Sequence, residues 1–225
     1  MDRDYDIAFE IAGPAAIFTR PDTGSTPISY PAPTYSAAKG MFDAVLRLRS
    51  VYVKPLWVEI CKPVRYERYV TNYHGPLRKP GTDTYQLIAT ILTDVCFRVY
   101  AQVIAKQNTR GKGRSGTRER RDAANHVKAF VAEFQRRLSS SQNFYTPCLG
   151  WKEFVPSYFG PIREQDVEGQ PIQPDVTVDE TIPSMLSSMW HHGHLNPTYV
   201  QDWRVARGVM SYSRRAPTED ECNVE

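Results

Sequence analysis

The sequence has no apolar run approaching the ~20 residues that a membrane helix needs. Its four cysteines, Cys61, Cys96, Cys148 and Cys222, lie far apart, and no two stand at metal-ligand spacing. No signal peptide is legible at the N-terminus, so the expectation is a reduced, cytoplasmic protein. Internal repeats are absent as well. Net charge is nearly absent, at +3 over 225 residues, which excludes a surface that is basic throughout. Trp190-His191-His192-Gly193-His194 gathers three histidines, but no carboxylate or cysteine in the segment completes a metal site. No metal and no cofactor are expected.

The charge that is present is concentrated. Between Lys106 and Arg121 seven basic residues (Lys106, Arg110, Lys112, Arg114, Arg118, Arg120, Arg121) face one acid, Glu119. That stretch is Gly- and Arg-rich with no apolar anchor, so it reads as a mobile basic loop over 106–121. The tail from Glu219 to Glu225 is acidic. With 41% hydrophobic residues the chain can bury a core in one domain, or in one domain plus an appendage.

Taken in order, Tyr5 to Ala12 alternates as a first strand. Thr19 to Pro33 is a polar loop broken by Pro21, Gly24, Pro27, Pro31 and Pro33. Ser36 is the expected N-cap of a first helix, whose apolar stripe is Ala38, Met41, Phe42, Val45 and Leu48. Lys39, Asp43 and Arg47 fall on its other side, and Leu46 is placed with them. Val51 to Ile60 is a strand in which Pro55 marks an edge or bulge. Val64 to Tyr73 is another. Ile88 to Leu92 and Cys96 to Ala105 read as two strands around Thr93-Asp94. Asp122 to Ser141 is the clearest helix, with Val127, Phe130, Val131, Phe134 and Leu138 on one stripe. Phe144 to Phe159 reads as a turn and a strand. Beyond Gly160 the chain is Pro-rich, with a short helix expected over Ile182 to Trp190 and a frayed tail from Tyr212. Strand, helix, strands and a later helix fit an α+β sandwich.

Basic and aromatic residues are interleaved at Arg65-Tyr66-Glu67-Arg68-Tyr69, at Arg20 with Tyr30, and again in the 106–121 loop. Cations on phosphates and planar side chains under bases are what single-stranded RNA needs. The polar loop leads into a helix N-terminus, where backbone donors favour anions. Thr19 to Lys39 is therefore the expected groove, with Arg20 and Lys39 on phosphates and Tyr30 stacked or packed beside them.

Gly13-Pro-Ala-Ala-Ile-Phe-Thr-Arg-Pro21, followed by Ser29-Tyr-Pro-Ala-Pro-Thr-Tyr-Ser-Ala-Ala-Lys-Gly40, resembles the N-terminal signature of the CRISPR-associated protein-five family, type I-C branch. Further motifs follow in the family's order: Phe134-Gln-Arg-Arg137, Ser141-Gln-Asn-Phe144 and Pro147-Cys-Leu-Gly-Trp-Lys-Glu-Phe154, with Lys152 where the family has Arg. The family's Arg-Arg-Asn element is reduced to Asn72, after Val70 and Thr71. The resemblance implies a ferredoxin-like (RNA-recognition-motif) domain over 1–155 and a smaller, β-rich C-terminal appendage and tail over 156–225. It implies a subunit of a type I surveillance complex that holds the 5′ handle of the crRNA. Its partners would be the crRNA, the backbone subunits, the large subunit and, through the complex, target DNA. Arg110, Lys112, Arg114, Lys128, Arg136, Arg137 and Lys152 join Arg20, Tyr30 and Lys39 as candidate RNA contacts.

The same branch includes metal-independent endoribonucleases that cut precursor crRNA through the 2′-hydroxyl. Their Tyr or His on the first helix corresponds here to Leu46, and the His of their Lys-His pair to Ala129. Lys128 keeps the lysine. An active enzyme would need a displaced base, His126 or Tyr52, with Lys128 as the cation. The expectation is therefore a binding subunit, with endoribonuclease activity as the alternative.

Overall fold

The computed structural model describes residues 5–73, 85–106, 116–191 and 194–214. In chain order the elements are β1 (Ile7–Ala16), α1 (Tyr35–Val45), β2 (Val51–Ile60), β3 (Tyr66–Tyr73), β4 (Tyr85–Ala105), α2 (Gly116–Ser139), β5 (Tyr158–Gly160), β6 (Glu180–His191), β7 (His194–Ala206) and β8 (Val209–Ser211). The described strands join into one sheet in the order β5-β1-β4-β2-β8-β7-β6, with β3 paired to the first part of β4. All named pairings are antiparallel. This is an α+β fold.

Alternation in β1 sends Ile7, Phe9 and Ile11 into the core. Phe9 meets Phe42 of α1 at 4.7 Å between ring centroids, and Phe42 meets Phe134 of α2 at 5.8 Å. Both helices therefore cover the same face of the sheet. The α2 stripe is as its periodicity predicts, with Phe130, Phe134 and Leu138 buried. Burying such side chains contributes about 1.5–3 kcal/mol each. One charge is also inside: Glu10 is fully buried, paired with Arg98 at 3.2 Å and Arg163 at 2.6 Å.

Six expectations need correction. The basic stretch is not a loop as far as Arg121, because α2 begins at Gly116. Leu48 is not on the buried stripe of α1, because the helix stops at Val45 and Leu48 is 45% exposed. Thr93-Asp94 does not separate two strands, because β4 runs through it for 21 residues. Asp94 takes φ +52 opposite Pro14, which has no N–H to offer the ladder, and the pairing with β1 continues on both sides of it. Ile182 to Trp190 is strand β6 and not a helix. Its backbone is paired in an antiparallel ladder with β7 instead. Tyr212 is not frayed: it is buried, and its hydroxyl donates to the Pro33 carbonyl at 2.8 Å. Ser36 is not the cap of α1; Thr34 is, accepting from the Ala37 N–H at 3.3 Å. The expected bulge at Pro55 is present, as a register shift against β4 between Pro55 and Trp57.

Among the described residues no helix is long and apolar enough to cross a membrane.

Candidate nucleic-acid interface

Helix α1 stops at Val45, and Leu46 turns into extended backbone (φ −153, ψ 130). The chain then crosses over Arg47, Leu48 and Arg49 to enter β2. Lys39 and Asp43 on α1 face this crossing, as their spacing predicts. The end of β4 closes the other side, where the Lys106 N–H donates to the Ser50 carbonyl at 2.9 Å. The result is a cleft of about 480 Å³ between α1, the start of β2, the end of β4 and the exposed segment after α2.

Four cations line this cleft, Lys39, Arg47, Arg49 and Lys106, against one carboxylate, Asp43. Asp43 is held by Lys39 at 2.8 Å. On one wall is Tyr52, with the Lys39 and Lys106 ammonium groups 5.5 and 5.6 Å from its ring centroid. The Tyr52 and Tyr35 hydroxyls are hydrogen-bonded at 2.7 Å, which fixes the ring. Phe130 and Phe144 complete the apolar lining. Mixed positive charge and aromatic surface at this scale suit a phosphodiester chain with accessible bases.

The predicted site residues divide into three groups. Lys39 and Tyr52 belong to the cleft. Arg20, Tyr30, Lys128, Arg136, Arg137, Lys152 and His126 do not line it. Arg110, Lys112 and Arg114 lie outside the described residues. So does His192, and the side chains of His191 and His194 are not described.

Tyr30 needs correction. It is fully buried, its hydroxyl accepting from the Leu186 N–H at 3.1 Å, so no base can reach its ring. Pro31 to Tyr35 are buried too, packed toward the C-terminal strands, and so that part of the Thr19–Lys39 stretch is interior. Arg20 sits over Tyr30, 5.7 Å from the centroid, and is forked onto Asp22 at 2.8 and 3.2 Å. On α2, Arg136 and Arg137 both bind Glu133, which holds that carboxyl down at about 2. His126, Lys128 and Ala129 are exposed on α2. Leu46 is the second correction. It is buried in the core, because a helical projection does not apply beyond the last turn.

Arg47, Arg49 and Phe144 are the cleft residues that residue patterns alone did not single out. The available signal was Arg-x-Arg immediately after an apolar helix, followed by a strand beginning Val-Tyr. Phe144 is positioned by long-range bonds that no local pattern contains.

A family model described as CRISPR-associated protein (Cas_Cas5), in its Cas5d form, matches residues 6–218. A protein from Mannheimia succiniciproducens named CRISPR pre-crRNA endoribonuclease Cas5d is 29% identical over 185 residues, covering 71% of this chain and 74% of that protein. A protein of the same name from Thermus thermophilus is 29% identical over 160 residues, covering 68% of this chain and 62% of its own length. Among solved structures, one titled crystal structure of CRISPR-associated protein superposes with TM-score 0.66 at 16% identity, over 96% of this chain and 95% of that one. The chain belongs to the CRISPR-associated protein (Cas_Cas5) family, in its type I-C, Cas5d branch.

Proposed function

We propose that this chain is a crRNA-binding subunit of a type I CRISPR (Cascade-type) surveillance complex. It holds the 5′ handle of the crRNA and caps the complex's backbone in antiviral defence. Its partners are the crRNA, the backbone subunits and the large subunit, and it meets target DNA through the complex. One observation carries the reading: four cations converge on an aromatic-lined cleft beside α1. Family membership supports the identity of the RNA. The order β5-β1-β4-β2, with α1 between β1 and β2 and α2 between β4 and β5, supports reading the core as ferredoxin-like. We take 1–155 as the RNA-binding unit and 156–225 as its appendage.

A second reading, metal-independent pre-crRNA endoribonuclease, is favoured by the name that both relatives carry. Against it stand Leu46 and Ala129, which cannot exchange a proton, and His126 and Lys128, which are exposed on α2 and do not line the cleft, although Tyr52, the other displaced base, does.

Salt-dependent binding to repeat RNA tests the proposal. Each lost phosphate contact lowers the slope of log affinity against log salt by about 0.7 for a single strand. Arg47→Ala with Arg49→Ala is therefore expected to lower the slope by about 1.4 and to weaken binding at low salt. Arg20→Ala, already neutralised by Asp22, is expected to change neither. An unaltered slope in the double variant would remove the cleft from the account.

A further inference from the structure

Phe144 is out of place as a structural residue. It is 69% exposed, the most exposed aromatic side chain among the described residues, yet it is firmly held. Its N–H donates to the Ala44 carbonyl at 2.7 Å, and the Tyr145 N–H reaches the same oxygen at 3.3 Å. That carbonyl is one of those the end of α1 leaves without a helical partner. The Tyr145 hydroxyl donates to the Gly40 carbonyl at 2.9 Å, tying the segment to α1 a second time. The two rings meet edge to face at 5.9 Å. A large apolar ring is thus fixed at the rim of a cleft lined by four cations, with Leu48, itself 45% exposed, on the same lining.

We infer that Phe144 is a base-stacking platform, and that the cleft accepts an unpaired nucleotide of single-stranded RNA. The phosphates lie on the Arg47, Arg49 and Lys106 side while one base stacks on the Phe144 ring. This rests on the RNA-binding reading and adds to it a selection rule. A paired base has both faces covered by its neighbours, so a duplex cannot use the platform, whereas a splayed single strand can. Stacking is sequence-tolerant, because every base has a π-face. The platform thus selects strandedness and leaves sequence to other contacts.

The probes are a fluorescent oligoadenylate of about ten nucleotides and an RNA duplex of the same length. Wild type is expected to bind the single strand more tightly than the duplex. Phe144→Ala is expected to weaken single-strand binding about tenfold or more, with an unchanged salt slope because no phosphate contact is lost. Phe144→Trp should retain the affinity and Phe144→Leu should not. Thermal melting should be the same in all three, since the ring is exposed. The platform is overturned if Phe144→Ala binds within twofold of wild type, if Leu serves as well as Phe, or if duplex and single strand bind equally. The Arg47→Ala/Arg49→Ala protein separates the two levels. If it too binds like wild type, the cleft reading falls with the platform. If it binds weakly while Phe144→Ala does not, the platform alone falls.

Discussion

Gly150→Ala is expected to be among the most damaging single substitutions in this chain, although it adds one methyl group. Gly150 has φ +97, a conformation that favours glycine. A Cβ there would stand 1.7 Å from the Ile17 carbonyl oxygen and 2.7 Å from its carbon, both backbone atoms that cannot swing aside. The approach is close because the Ile17 N–H donates to the Leu149 carbonyl at 2.9 Å, while the Leu149 N–H donates to Phe154 at 2.8 Å. Leu149 itself is fully buried. Relieving the clash means detaching the 147–154 turn from the end of β1, and we expect a loss of about 3–5 kcal/mol. At roughly 2–4 °C per kcal/mol for a chain of this size, the melting temperature should fall by about 10 °C. Gly169→Ala is the control. Gly169 has φ +79 but nothing within 4 Å of an added Cβ, so only the backbone strain of about 1–2 kcal/mol should appear. If Gly150→Ala melts within a degree or two of wild type, the close approach at Ile17 is wrong.

The second large effect concerns chemistry. Purified protein incubated with its own repeat RNA in EDTA is expected to leave the RNA essentially uncut. Proton transfer by a positioned side chain is worth about 10²–10⁴-fold, and Leu46 and Ala129 offer none. Simple restoration by Leu46→Tyr with Ala129→His is not expected to recover activity. Leu46 is buried at the end of α1, where a larger, hydroxylated ring would overpack the core at a cost of about 1–3 kcal/mol. Rapid metal-free cleavage by the wild type, yielding a 2′,3′-cyclic phosphate and abolished by His126→Ala, would establish the enzyme reading instead.

What the sequence discloses here follows the range of the interactions. β1, α1, β2 and α2 are legible because their apolar periodicity is local and their buried faces agree with it, save Leu48, which lies past the end of α1 and is exposed. The continuity of β4 is not, because Asp94 looks like a turn unless Pro14 is known to lie opposite. β6 is not legible either, since its strand character comes from pairing with β7 and its apolar pattern is only mildly periodic. The interface is half legible. Lys39 and Asp43 share one side of α1 and both line the cleft. Leu46 and Arg47 share that projection on paper but lie past the helix, where Leu46 is buried and Arg47 reaches the cleft from the crossing. Tyr30 illustrates the opposite failure: its neighbours are prolines and a serine, the composition of a surface loop, yet the C-terminal strands bury it through Leu186. Phe144 owes its position to the Ala44 carbonyl, 100 residues earlier, which no local signal can supply.

Photo-cross-linking maps the bound RNA onto the chain most directly. The crRNA 5′ handle would carry 4-thiouridine at successive positions, and adducts would be located by peptide mass. The account predicts adducts on peptides containing Phe144 and Tyr145 and on the Arg47–Tyr52 crossing, all lost in the Arg47→Ala/Arg49→Ala protein. Adducts confined to β6 and β7, or adducts that persist when both arginines are gone, would contradict it.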